Sequence, residues 1–307
     1  MVRYAGVNAP GPGSLVDLQH PLGHGCVGCW WPNAAPDAGR GLWVPDLSGH
    51  GQHAWNINNP TWVVGHKGSE WGLNYAVGAS PQQSTLIPKG PASDIRTGDF
   101  SCSIGVTIAA GNPETWGTLI GCRKEGDGTS YGWDIFYSPW PPPIATTTVY
   151  LSLADAASYD IILIRCSTDT FNVGAWNQIT LSCDRDALAT YYLDGRSIGS
   201  VNCSSAASKD VQAYPGQTLK LFRGPFTDEM ATLGGTVEYI IIHGRALSTE
   251  EVAWLTREPA AMIWQPGRKR TFLFGTVALL PPSSLPPSSR RLRPLQYGPS
   301  LQYVRGG

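Results

Sequence analysis

Residues 235–259, GTVEYIIIHGRALSTEEVAWLTREP, constrain the fold of this chain more than any other stretch. Val237, Tyr239, Ile240, Ile241 and Ile242 are β-branched or aromatic and predict a buried strand, which Gly244 ends. Ser248 then stands three residues before Glu251, a capping box in which hydroxyl and carboxylate each satisfy a free backbone N–H of a first helical turn. Leu247 and Val252 occupy the places of a hydrophobic staple, Val252 and Leu255 share one helix face, and Pro259 stops the helix. The residues therefore predict a closing sheet strand, a turn and a short helix pinned back onto that sheet.

The remainder reads as many short strands with turn signals between them. Strand-like runs are expected at 26–31, 42–45, 61–64, 71–77, 84–87, 100–109, 117–122, 131–137, 147–153, 159–165, 176–183, 187–193, 197–201 and 219–222. In the longest, Phe100, Cys102, Ile104, Val106 and Ile108 alternate inward with period two. Asp194-Gly195 predicts a tight hairpin. Gly 36 and Pro 25, spread through 307 residues, leave no window for a long helix, while 12 Trp supply a two-sheet core.

Tyr239 to Val252, YIIIHGRALSTEEV, resembles the closing strand and "R-A-L-S-x-E-E-[IV]" helix of laminin-G-like (concanavalin A-like) jelly rolls. Gly28-Cys29-Trp30-Trp31-Pro32, followed by Asp46-Leu47-Ser48-Gly49-His50-Gly51-Gln52-His53, resembles that family's opening "W-x-P … D-x-S-G-x-G-x-H". Tyr191 to Gly195 resembles its "Y-x-D-G" hairpin. The resemblance implies an all-β, two-sheet jelly-roll sandwich with one short C-terminal helix and extended N- and C-terminal arms. The expected division is an irregular arm over 1–24, the jelly roll over 25–259, and a basic Pro/Ser-rich strap over 260–307.

Charge is distributed unevenly. No acid follows Glu258, so the body carries 15 basic against 23 acidic residues, whereas the tail carries seven basic residues alone. Ile263 to Phe274, IWQPGRKRTFLF, resembles a short extension that follows laminin-G-like domains in some tailed-bacteriophage particle proteins. The Pro281–Ser289 segment favours extended polyproline II, and Leu-Gln-Tyr occurs at 295–297 and again at 301–303. Arg268, Lys269, Arg270, Phe272, Phe274, Arg290, Arg291, Arg293, Tyr297 and Tyr303 are the expected partner-docking residues. Both arms are expected to reach neighbouring subunits: capsid or other virion proteins, or further copies of this chain in a homo-oligomer.

Constellations that suggest catalysis do not hold together. Gly23-His24-Gly25-Cys26-Val27-Gly28 spells a dinucleotide fingerprint, but Pro21 precedes it and Cys29-Trp30-Trp31-Pro32 cannot open the helix it needs. Cys26, Cys29, His50 and His53 form a two-Cys, two-His set on paper, yet residues three apart on a strand face opposite ways. Glycoside hydrolysis needs two carboxylates about 5 Å apart on one face, and Glu125-Gly126-Asp127-Gly128-Thr129-Ser130 lacks the second strand acid. No nucleophile elbow is present. The chain is expected not to be an enzyme and to need no cofactor. The one ion the resemblance leaves open is rim calcium, through the dispersed Asp46, Asp127, Asp155, Asp169 and Asp228. Asp46 is expected instead to cap its own turn.

Among aromatics, Trp133, Tyr137 and Trp140 (with Trp116) either stack sugars or fill the core. Cys102, Cys122, Cys166 and Cys183 sit in apolar runs as small hydrophobes, and seven cysteines without a spacing pattern suit a reducing cytoplasm. No signal-peptide or membrane-spanning run is seen, and neither a membrane nor nucleic acid is an expected partner. These readings predict a structural virion protein of a tailed phage, a decoration, cement or fibre-type subunit assembled in the host cytoplasm. The alternative is a lectin-like adhesin that binds a glycan or receptor from the particle or cell surface.

Overall fold

The computed structural model describes residues 10–35, 41–66, 71–77, 83–109, 117–122, 124–126, 129–138, 147–155, 161–168, 173–213, 217–222 and 233–264. Along the chain run Leu15–Val16 (β1), Cys26–Trp30 (β2), Trp43–Val44 (β3), Ala54–Ile57 (β4), Thr61–Val64 (β5), Trp71–Tyr75 (β6) and Ser84–Ile87 (β7). Phe100–Ile108 (β8), Gly117–Gly121 (β9), Lys124–Gly126 (β10), Thr129–Ser138 (β11), Thr147–Ala154 (β12) and Ile161–Thr168 (β13) follow. Trp176–Cys183 (β14), Leu188–Leu193 (β15), Arg196–Asn202 (β16), Leu219–Leu221 (β17) and Gly235–His243 (β18) lead to one helix, Thr249–Arg257 (α1), and to Ile263–Trp264 (β19).

The strands form two large antiparallel sheets. One has the order β13-β12-β11-β9-β17-β7-β4-β3, with β10 hairpinned onto β11; the other runs β16-β15-β14-β8-β18-β6-β5, with β2 on β18. This is the all-β sandwich that the spacing of strand and turn signals predicts. The principal core lies between the sheets and contains the inward residues of β8 (Phe100, Cys102, Ile104, Val106 and Ile108) against Leu119, Ile120, Trp133, Ile135 and Leu151 of the facing sheet. Alternation accounts for it: each strand gives one face to this layer and keeps the other outside.

A second apolar layer covers the outer face of the eight-stranded sheet. Tyr239 and Ile241, which alternate with the core residues Ile240 and Ile242, pack with Trp31, Leu22, Val252, Leu255 and Met262. The helix arrives there as the capping chemistry requires. Glu251 N–H donates to Ser248 Oγ at 3.2 Å, and Ser248 N–H donates to Glu251 Oε2 at 2.9 Å. A hydroxyl ladder across β8 and β14 clips the preceding loop: Leu247 N–H reaches Ser101 Oγ and Ser182 Oγ at 2.9 and 2.8 Å, and Ser182 Oγ–H donates to Leu247 O at 2.7 Å.

Part of the N-terminal arm joins this second layer. Its described part, residues 10–24, lies on this chain's own sandwich, with Val16 beside Ile263 in the β1–β19 pair and Leu22 fully buried. Two side chains of the closing segment hold it. His243 Nε2–H donates to Leu22 O at 2.7 Å, and Arg245 donates to Pro21 O and His24 O at 3.1 and 2.9 Å while its guanidinium makes a bidentate pair with Glu251. The reason is burial: Val16 and Leu22 complete the second layer, and removing Leu22 from water is worth about 2 kcal/mol. Residues 1–9 and the strap residues from 265 onward lie outside the described part.

Asp194 and Gly195 form the β15–β16 hairpin with φ of 49° and 79°, the doubly left-handed turn their identities predict. Gly105 is required for another reason: a Cβ there would fall 2.4 Å from the Tyr239 ring, which lies across it.

Candidate functional site

β4 was not among the strands expected from sequence, because Ala-Trp-Asn-Ile carries only one β-branched residue. Among the described residues it carries the most exposed aromatic side chain of the nine-stranded sheet. Ala54 and Asn56 face inward, so Trp55 faces out and is 53% exposed. Hydrogen bonds fix β4 from behind: Thr85 Oγ1 lies 2.7 Å from Asn56 Oδ1 and 2.6 Å from Tyr75 OH, which comes from the opposite sheet.

Cross-strand register sets what lies beside Trp55. Trp43 is its partner on β3, Leu86 its partner on β7, and Lys220 of β17 follows Leu86. Trp43, Trp55, Leu86 and Lys220 thus form a row across the outer face, with half-buried residues flanking the exposed indole. Such directly opposed pairs approach within contact distance. The chain entering β3 is anchored by Trp62 Nε1–H donating to Gly41 O at 3.0 Å.

The opening motif seats the end of this row. Asp46 accepts from Ser48 N, Ser48 Oγ and Gln52 N at 2.9, 2.6 and 3.0 Å, so it caps its own turn as its sequence context predicts. His53 Nδ1 accepts from Asp46 N–H at 3.1 Å, and the ring meets Trp43 edge-on with centroids 5.2 Å apart. That bond fixes the tautomer and leaves the exposed Nε2–H as a donor beside the indoles. The assembly offers flat apolar faces rimmed by one imidazole N–H and one ammonium group. Such a surface can hold an amphipathic ligand.

Three aromatics, Trp133, Tyr137 and Trp140, were open to either sugar stacking or core packing. Trp133 takes the core alternative: it is fully buried between the sheets against Phe100, with ring centroids 5.5 Å apart. Its β11 neighbours explain this, since Trp133 and Ile135 face the core while Asp134 and Phe136 take the other face. The side chain of Tyr137 and all of Trp140 lie outside the described part, as do all ten docking residues of the strap.

Cys26 and Cys29 share one face, contrary to the strand-parity expectation. A register irregularity at Ile242/His243 on β18 shifts the β2 pairing, and both thiols enter the second apolar layer. His53 points to Trp43 instead, so the two-Cys, two-His set is not assembled. Among the described residues, no group of three His, Cys, Asp or Glu side chains is placed to hold a metal ion. Glu125 to Ser130 lies partly outside the described part. Among the described residues no helix is long and apolar enough to cross a membrane.

Comparison with known proteins follows the fold. No family model matches the chain, and no curated protein matches it. Solved structures do. The binding domain of Paraclostridial Mosquitocidal Protein 1 is similar at a TM-score of 0.56 and 16% identity, covering 76% of this chain and 52% of that one. The receptor binding domain of botulinum neurotoxin D is similar at 0.56 and 12%, covering 78% and 54%. The botulinum neurotoxin serotype G binding domain is similar at 0.55 and 14%, covering 77% and 51%. The chain thus spans about half the length of these domains. At such identity the likeness establishes the fold: a jelly-roll-like β-sandwich of the kind found in those binding domains.

Proposed function

We propose that this chain is a non-catalytic binding module whose outer aromatic row takes carbohydrate. The observation that carries this reading is the Trp43–Trp55 pair, held rigidly on adjacent strands and left open on the outer face of the sheet. Indole faces stack on the C–H faces of pyranose rings, while the His53 Nε2–H and the Lys220 ammonium supply donors for ring hydroxyls. Binding through exposed rings is consistent with the structural likeness to receptor-binding domains, among them botulinum neurotoxin type C, whose cell entry depends on interaction with two ganglioside molecules.

Glycan-array binding of the full chain tests this. Trp55→Ala should weaken the binding about tenfold or more, a loss of roughly 1.4 kcal/mol or greater, and Trp43→Ala should do the same. Trp264→Ala is the control, since that indole is 44% exposed on the other side of the sandwich. A blank array, or binding unchanged in Trp55→Ala, overturns the reading.

A second reading, a tailed-phage virion subunit of the decoration, cement or fibre type, is supported by the charge polarity: seven basic and no acidic residues follow Glu258. The two are compatible if the strap attaches the module to neighbouring copies or other virion proteins and the sandwich presents the sugar site. Deleting residues 275–307 should then lower occupancy on the particle without changing glycan binding.

A further inference from the structure

Of the seven cysteines, the six whose side chains are described, Cys26, Cys29, Cys102, Cys122, Cys183 and Cys203, are all buried and all free thiols. One pair differs from the rest. Cys183, the last residue of β14, and Cys203, the first residue after β16, bring their sulfurs within 3.8 Å although β15 runs between their strands. The contact forms where the meander closes: Cys203 N–H donates to Ala187 O at 3.0 Å, and the Cys203 thiol reaches Asp184 O at 2.9 Å. Arg185 lies in the same turn. Its guanidinium is fully buried and donates to the carbonyl oxygens of Arg96, Ala206 and Lys209, while its own N–H donates to Asp99 Oδ1 at 2.9 Å. A fixed positive charge therefore stands beside two touching thiols.

We propose that Cys183 and Cys203 form a thiol-oxidation site that closes to an intramolecular disulfide with a peroxide-class oxidant. Cys203 gives up its proton and attacks one peroxide oxygen, breaking the O–O bond and becoming a sulfenic acid, with the other oxygen leaving as water. Cys183 then attacks the Cys203 sulfur. Its proton joins the departing hydroxyl, a second water leaves, and the S–S bond forms. Two thiols have lost two electrons and the peroxide has gained them. The sulfurs need to approach by less than 2 Å to reach bonding distance.

The electrostatics separate this pair from the other thiols. Cys183 keeps its proton and donates it toward Cys203, which with the Arg185 charge holds the Cys203 thiol below its ordinary range. Burial opposes this at Cys203; the shared hydrogen bond and burial raise Cys183 itself, and at Cys102 and Cys122 nothing outweighs burial. It pushes Cys122 up to about 12 and raises Cys102, and Cys29 is raised by its hydrogen bond with Cys26 and by burial. Thiolate character selects the site that oxidises first. The bridge would tie the edge strand β16, all of whose residues are exposed or half-buried, back to β14 within the sheet.

The test is disulfide mapping of the full chain after graded hydrogen peroxide, with free thiols alkylated in denaturant before digestion. The expected result is a Cys183–Cys203 cross-linked peptide appearing before any other thiol is modified, with Tm about 5 °C higher in the oxidised protein. A Cys26→Ser/Cys29→Ser variant should give the same cross-link at the same peroxide concentration, and Cys183→Ser should leave Cys203 at sulfenic acid or beyond. Oxidation first at Cys26–Cys29, an intermolecular product, or both thiols of the pair still free when Cys102 or Cys122 is modified would overturn the proposal. Mapping on the unsubstituted chain decides the matter even if a serine variant does not fold.

Discussion

Lowering the pH from 7 to 4 should loosen this protein through one buried imidazole. His243 is fully buried at the end of β18, where burial, the first cause, and the nearby Arg245 charge hold its pKa at about 4, against the weaker opposing effects of its Leu22 carbonyl bond and Glu251. In the unfolded chain it returns to the ordinary value near 6.5. Above that value neither state is protonated at this residue and it contributes no pH dependence. Between about 6.5 and 4 the unfolded chain binds a proton that the folded one refuses, so stability falls as the pH falls, by about 1.4 kcal/mol per pH unit and about 3 kcal/mol across the window. Glu251 adds to the loss only near the acid end, because pairing with Arg245 lowers its pKa and its stabilisation disappears as pH falls through that lowered value. Urea unfolding at pH 7, 6 and 5 isolates the histidine. The expected loss between pH 7 and 5 is about 2 kcal/mol, and His243→Gln, whose amide can still donate to Leu22 O, should remove most of it. Equal slopes in both proteins, or an imidazole proton of His243 titrating near 6.5, would refute the reasoning.

Three further outcomes follow from the packing. Gly105→Ala forces the Tyr239 ring off β8 and away from Trp31, on which it stacks with centroids 4.8 Å apart, and should cost about 1–3 kcal/mol in chemical denaturation. Ser248→Ala removes half of the capping box and should cost about 1 kcal/mol, whereas Thr249→Ala, one residue on, should cost less. Removing residues 275–307 should leave Tm unchanged within about 1 °C, because the described members of both apolar layers all come from residues before 265; a clear drop in Tm would show that the tail stabilises the fold.

What could be read from sequence was local, and what could not was set by register. The strand, capping box and staple of 235–259 are near-neighbour chemistry, and they form as the residues predict. The alternation of β8 and the Asp194-Gly195 turn are equally local. Trp55 is different: its importance depends on Trp43 lying opposite it and Leu86 on its other side, neighbours 12 and 31 positions away that only strand pairing brings together. Trp133 shows the converse, since the Gly-rich stretch before it suggests a rim while period-two alternation along β11 turns its indole into the core. For Cys26 and Cys29 simple parity failed because a single irregularity in pairing reverses the facing of one thiol, and no hydrophobic pattern within CVGC records it.

The pairing of β1 with β19 has a geometric consequence. Leu15 and Trp264 are neighbours, so the polypeptide enters and leaves this body at one spot, on the side covered by the helix. The indoles at 43 and 55 open from the opposite sheet. A body tethered by both its ends would therefore turn its aromatic face outward whichever end bears the load, and a circular permutant that joins residues near those ends and opens the Asp194-Gly195 turn should keep that face intact.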